Sequence, residues 1–262
     1  MRNIKASVLI ANYNNSKYIN NCITSLKKQT HKNFEIIFFD DNSSDDSLKV
    51  IKKFNKIKII KNKKQKKYGS FNQINAYKKA ISKSTGDIIF FLDSDDFFHK
   101  DKISIVIEEF KRNKDKEVIF DLPFKIIQKK ITRQNFKIKI LNNYWPYFPP
   151  QSCITIRKKN LKKMMTSIDF DLYPDIWMDF RIAMYAKYIL KNFNILKKNL
   201  TFYRVTDSNI SSKFRFLSVE WWIRRLQAHD YVKYYFSNNK IKYKINLDYL
   251  LTSNICKIFF KD

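Results

Sequence analysis

Four short apolar runs, separated by helical patterns, occupy the first half of this chain and leave few folds open to it. Ser7–Asn12, Phe34–Phe39, Ile57–Ile60 and Ile88–Leu92 are nearly all apolar, as strands buried on both faces must be. Lys17–Gln29 repeats Ile19, Cys22, Ile23 and Leu26 at helical spacing. Ser44–Asn55 turns Leu48, Ile51 and Phe54 inward, and Phe71–Lys83 reads as a helix ending near Gly86. A fourth helix is expected to run to about Phe110 with Asp101 as its cap. This alternation predicts an α/β fold: a mostly parallel, Rossmann-like sheet flanked by helices. Ligands of such sheets bind beyond the carboxyl ends of the strands. Polar clusters stand there: Asn12–Asn15 after the first run, Asp40–Asp45 after the second, Asp93–Asp96 after the fourth.

Glycine scarcity removes the commonest nucleotide-binding alternatives. Gly69 and Gly86 are the two glycines of the 262 residues, so neither a Walker A loop nor a Gly-x-Gly-x-x-Gly fingerprint can be written. The length suits one domain or a domain with a small annex, and 44% hydrophobic residues supply a core. The net charge of +28 attracts polyanions: nucleic acid, anionic lipid or diphosphates. The abundance of Lys, Asn, Ile, Phe and Tyr equally suits the codon bias of an AT-rich genome. Cys22, Cys153 and Cys256 are far apart and odd in number, which fits a reducing cytoplasm. His31, His99 and His229 are scattered, so a His/Cys metal site is not expected. No signal-peptide pattern opens the sequence, and the uncharged stretch Ile140–Ile156 is broken by Pro146, Pro149 and Pro150. The expected location is cytoplasmic, with any membrane contact peripheral, at the inner face of the plasma membrane.

Asp93 and Asp95 lie two apart at a strand end, where alternate side chains share a side. Two carboxylates there repel unless a cation stands between them, and Mg²⁺ or Mn²⁺ prefers such oxygen ligands and shares them with phosphates. The same residues also suit a solvated turn. Asp40 and Asp41 can accept hydrogen bonds from a base or a ribose, or form an Asx turn. Ser44 or Asp45 could cap the next helix alone.

Together the clusters resemble family 2 glycosyltransferases. Ser7–Tyr13 is similar to that family's opening strand, and Phe34–Asp46 to its nucleotide-binding segment, with Asn42 where glycine is usual. Gly86–Asp96 resembles its Asp-x-Asp region almost residue for residue. Asn72 and Gln73 stand where polar donor-contacting groups are usual, and Tyr203–Thr206 is similar to a Tyr-Arg-x-His segment with Thr in the last place. Pro174–Ile182 resembles a Glu-Asp … Leu-Arg-Leu helix, so a helix is expected from Asp175 to Leu190.

The resemblance implies a GT-A fold and an inverting transfer from a nucleotide-sugar donor to a saccharide or lipid-linked saccharide acceptor, as in capsule or lipooligosaccharide synthesis. It implies Asp175 as catalytic base, with Asp179 one helical turn on as the alternative. The nucleotide-binding set is Asn12, Tyr13, Asp40, Asp41, Gln73, Asp93 and Ser94. Asp95, with Asp93, holds the metal. Expected divisions are a donor-binding core over 1–120, an acceptor half over 121–212 and a basic, aromatic helical tail over 213–262. Trp145, Tyr147 and Phe148 could stack on sugars or simply pack. The helix expected over Val219–Phe236 carries Trp221, Trp222, Arg224, Arg225 and Lys233, which suit an anionic membrane surface or a packed helix with a basic face. The rival class is a basic nucleic-acid- or membrane-binding protein on an inactive glycosyltransferase-like fold. Nucleic acid is not the expected partner, since the acidic clusters repel phosphates where no metal intervenes.

Overall fold

The computed structural model describes residues 4–135, 144–147, 149–167, 169, 172–206 and 214–259. β1 (Ala6–Asn12), β2 (Phe34–Asp40), β3 (Ile57–Lys61) and β4 (Ile88–Asp93) form the parallel part of the sheet, in the order β3-β2-β1-β4. Each lies within a residue or so of its apolar run. Register sets Asn12 beside Asp40 and Ala11 beside Asp93. The end of β1 therefore brings both acidic clusters together.

Strand side chains alternate between two buried layers. Val8, Ile10, Phe38, Phe90 and Leu92 face α1 (Ser16–Lys27), α2 (Ser47–Ile51) and α4 (Lys102–Arg112), meeting Ile19, Ile23, Ile51, Ile103 and Val106. Leu9, Ile37 and Phe91 face α3 (Gly69–Lys83), α5 (Lys158–Ser167) and α6 (Met178–Tyr185), meeting Ile74, Tyr77, Leu161 and Ile182. Gly86 enters β4 where nothing larger fits: a Cβ there would lie 2.5 Å from the carbonyl carbon of Ala6.

Beyond β4 the sheet turns mixed. β5 (Phe97–Phe98), β6 (Val118–Ile127), β7 (Lys130–Arg133), β8 (Ile154–Arg157) and β9 (Phe193–Val205) continue it as β4-β8-β6-β9-β5, with β7 beside β6. β8 is antiparallel to β4 and to β6, whereas β6 and β9 run parallel with register shifts between Phe120 and Pro123. The parallel expectation thus holds for the first half of the sheet.

Three helix expectations are corrected. The helix expected over Ser44–Asn55 is limited to α2, because Asp45 turns the chain before it. Asp101 stands at the N-cap of α4 without a side-chain cap bond; its carboxylate lies 3.3 Å from Lys100 Nζ instead. The helix expected from Asp175 begins at Met178 and ends in a π-helical turn over Ala186–Leu190. Asp175 sits in the preceding turn, where Ile176 N–H bonds Tyr173 O at 3.0 Å. α7 (Val219–Asn238), capped by Ser218 Oγ on Trp221 N–H, packs Tyr231, Val232 and Tyr235 on Phe180 and Met184. α8 (Leu247–Phe259) lies against α7. Among the described residues no helix is long and apolar enough to cross a membrane.

Candidate active site

At the end of β2 the carboxylates are met by donors. Asp40 is buried and accepts Asn12 Nδ2 at 2.8 Å, Ser43 Oγ at 2.7 Å and Ser43 N–H at 3.1 Å. Asp41 accepts Asn62 Nδ2 at 2.7 Å and Gln65 Nε2 at 3.2 Å. Asn42 between them has φ 60°, the left-handed region that Asn tolerates best after glycine. Asp45 takes Ser16 N–H at 2.8 Å and Ser47 N–H at 2.9 Å, so one carboxylate satisfies the starts of both α1 and α2. Burial pushes its acidity one way, and these bonds prevail to hold it below the usual carboxylate range. Tyr13, just past β1, is 50% exposed beside this cluster.

At the end of β4 the carboxylates lie close enough for the charge of one to act on another. Burial first, then the charge of Asp95, raises Asp93 to about 7, against hydrogen bonds from Tyr77 and Gln73. Tyr77 Oη donates to Asp93 Oδ1 at 3.0 Å. Asp95 is raised by burial, against the nearby charge of Arg204, whose Nε donates to the Asp95 carbonyl at 3.0 Å. Asp96 is fixed: Ser152 Oγ donates to it at 2.6 Å and Arg204 N–H at 2.8 Å. The same Ser152 oxygen accepts Asp93 N–H at 3.0 Å. Ser94 is buried and its Oγ accepts Asn15 Nδ2 at 3.1 Å. Beneath lies an ion pair with no solvent access, Lys102 Nζ to Asp121 at 2.6 Å, and Lys102 also donates to Ser152 O at 2.6 Å.

The donor set at the β4 tip fits a hard divalent ion. Asp93 and Asp95 repel, and Gln73 Oε1 beside them is buried without a hydrogen-bond partner. Among the described residues no three His, Cys, Asp or Glu side chains converge as a complete metal site. An ion held here would complete its shell with oxygens from outside the protein, as diphosphates supply.

The two candidate bases part company. Asp179, in the first turn of α6, is close enough for its charge to act on Asp93, and burial raises it against the charge of Arg224. Asp175 accepts Gln227 Nε2 at 2.7 Å and returns its own N–H to Gln227 Oε1 at 3.0 Å. It borders a cavity of about 260 Å³ whose walls include Trp145, Trp177, Phe214, Trp221 and Arg224. The expectation that one helical turn aligns the two does not hold, since Asp175 precedes the helix. Fully buried Arg181 holds the Asp175 turn, donating to Leu172 O at 2.7 Å, Tyr173 O at 3.2 Å and Ile176 O at 3.1 Å. Ser70 Oγ, at the start of α3, bonds Pro174 O and ties this turn to α3. Trp145 reaches the cavity, Tyr147 packs edge-on to Phe120, and Phe148 lies outside the described residues. Trp221, Arg224 and Arg225 also border the cavity, and Arg225 pairs with Asp248 at 2.5 Å.

Sequence reasoning missed Tyr77, Ser152 and Gln227. Tyr77 carried the one legible signal, a hydroxyl on an otherwise apolar helix face. Ser152 and Gln227 acquire their roles through partners more than fifty residues away.

The family model described as Glycosyl transferase family 2 matches residues 7–176. An uncharacterized glycosyltransferase of Nostoc sp. is 31% identical over 226 residues, covering 79% of this chain and 66% of that protein. The amylovoran biosynthesis glycosyltransferase AmsB of Erwinia amylovora is 33% identical over 132 residues, 49% of this chain and 44% of its own. The chain thus spans just under two thirds of the first relative and under half of the second. The mannosyltransferase PcManGT from Pyrobaculum calidifontis, solved with GDP-Man and Mn²⁺, superimposes with a TM-score of 0.63 over 98% of this chain and 71% of that one. At 11% identity the likeness is one of fold.

Proposed function

The chain belongs to glycosyl transferase family 2, and on that premise we propose that it moves a sugar from a nucleotide-sugar donor to a saccharide or lipid-linked saccharide acceptor, inverting the anomeric carbon. One observation carries this reading: Asp93 and Asp95 stand two residues apart at the end of β4, close enough for the charge of Asp95 to act on Asp93, at the carboxyl edge of the sheet where strand ends bind ligands. Asp95, with Asp93, would hold Mn²⁺ or Mg²⁺, which when bound neutralises charge on a departing diphosphate. PcManGT, alike in fold, was solved with Mn²⁺ and GDP-Man, in keeping with this.

In this reading Tyr13 and Asp41 contact the base and ribose, and Asn12, Asp40 and Ser94 keep the strand ends in place. Gln73 and Tyr77 orient Asp93. Asp175, fixed by Gln227 and Arg181, takes the proton of the acceptor hydroxyl as that oxygen attacks the anomeric carbon. The aromatic walls of its cavity suit a sugar ring. The setting is synthesis of a bacterial surface polysaccharide, such as capsule or lipooligosaccharide, at the cytoplasmic side of the membrane. The AmsB relative is likewise named for polysaccharide biosynthesis.

Asp175→Asn is expected to lower turnover about 10²–10⁴-fold while thermal stabilisation by the donor persists. Normal transfer by this variant, with loss in Asp179→Asn, would move the base to Asp179. A melting-temperature panel of UDP-, GDP-, CMP- and dTDP-sugars with Mn²⁺ identifies the donor by mass action. The rival reading, a nucleic-acid binder on an inactive fold, has no support from the site, whose acidic groups cluster at the strand ends.

A further inference from the structure

Helix α8 meets α7 through a mixed side: Asp248 meets Arg225 at 2.5 Å and His229 at 3.2 Å, Tyr249 packs edge-on to His229, Thr252 is fully buried, and Cys256 Sγ lies 3.6 Å from Trp222 O. Its outward side is aliphatic. Leu247, Leu250, Leu251 and Ile258 are 70%, 46%, 54% and 71% exposed. Their spacing of three, four, seven and eleven residues puts them on one stripe with Asn254. Ile245, immediately before the helix, is 58% exposed. A helix lying on a protein ordinarily buries its aliphatic stripe, so a contiguous exposed one marks a surface that something covers.

Charge selects what covers it. Exposed Lys242 and Lys244 precede the helix, and exposed Lys257 adjoins the stripe near its end. From residue 213 onward the chain has ten Lys and Arg against four Asp and Glu, within a net charge of +28. Two copies of so cationic a chain repel, whereas an anionic bilayer attracts it. Aliphatic side chains bordered by lysines are the composition that seats a helix in the headgroup layer.

We propose that the outer stripe of α8 is a membrane-docking surface that inserts Leu247, Leu250, Leu251 and Ile258 into an anionic phospholipid surface, with Lys242, Lys244 and Lys257 against the headgroups. The surface expected on α7 is thereby relocated. Trp221, Arg224 and Arg225 turn toward the Asp175 cavity, and α8 presents the lipid-facing side. The proposal stands apart from the catalytic assignment, because none of its residues belongs to the donor or base sites.

The test is co-sedimentation of the full chain with vesicles of phosphatidylcholine alone and of phosphatidylcholine with phosphatidylglycerol. Binding is expected to the anionic vesicles and to weaken with added salt. Leu250→Glu/Leu251→Glu should reduce it by on the order of tenfold or more. Lys242→Glu/Lys244→Glu should reduce it by a similar factor. Both variants should keep the wild-type melting temperature, because the altered side chains are exposed. Failure of the wild type to bind anionic vesicles overturns the proposal, as does undiminished binding by the leucine variant. Light scattering supplies a third overturning result: a stable wild-type dimer that the leucine variant dissolves would assign the stripe to a second copy.

Discussion

At the tip of β2, Asp40 and Asp41 receive five hydrogen bonds from Asn12, Ser43, Asn62 and Gln65. At the tip of β4, burial and then the charge of Asp95 lift Asp93 to about 7. The residue type is the same and the strands are separated by β1 alone. A carboxylate surrounded by donors has its charge compensated and holds a turn together. A pair that lacks donors in sufficient number retains charge for a ligand to compensate. Asp40, held by three hydrogen bonds, and the proposed ion-holding pair at β4 are therefore distinguished by their neighbours, and substitutions should separate them.

The largest effect is expected at β4. Asp95→Asn should cost about 10³-fold in nucleotide release with Mn²⁺, since a metal's charge stabilisation is worth several kcal/mol. Asp40→Asn should instead lower the melting temperature, because an amide reverses one hydrogen bond in a buried network. Equal losses of turnover from both would erase the distinction. Next, Lys102→Met should destabilise the fold by about 3–5 kcal/mol in urea unfolding, by stranding Asp121. Lys102→Met/Asp121→Leu should recover much of that loss. Turnover of the double variant should still fall, because Lys102 also holds the Ser152 carbonyl under the Asp93–Asp96 turn.

The smallest effect tests the opposite end of β2. Burial disfavours the charge of Glu35, but Lys58, Thr85 and Ser7 outweigh it and bring its acidity down to about 2. A folded-state value below the unfolded one stabilises above about pH 4.3 and is lost as pH falls toward 2. Allowing for the half-exposed Lys58 partner, the contribution is about 1–2 kcal/mol. Unfolding midpoints of wild type and Glu35→Gln should therefore differ at pH 7 and converge near pH 2.

How much of this was legible in the sequence follows the burial of the strands. β1, β2 and β4 are covered on both faces and read as unbroken apolar runs, so their ends located the acidic clusters. β6 and β9 did not announce themselves. Pro123 interrupts one, and Lys197, Lys198 and Asn199 interrupt the other at a register shift. The roles of Asp40 and Asp93 could not be separated from one chain's sequence, because deciding neighbours come from other elements: Asn12 for Asp40, Tyr77 and Ser152 for Asp93. The resemblance implies Asp175 as the base with Asp179 one helical turn on as the alternative, and that shared helical turn is absent because the helix begins between them, at Met178. α8 escaped notice because apolar residues occur on both its sides, and only packing shows which side faces out.

We propose above all that the β4 carboxylates hold a divalent ion on which donor binding depends. The direct measurement is Mn²⁺ binding, followed by the paramagnetic resonance of the free ion, with the stabilising nucleotide sugar present or omitted. Wild type should bind the ion tightly with the nucleotide sugar and weakly without it. Asp95→Asn should lose most of that binding, and Asp40→Asn should retain it. Donor binding that is indifferent to Mn²⁺, or ion binding that survives in an Asp93→Asn/Asp95→Asn double variant, would contradict the claim.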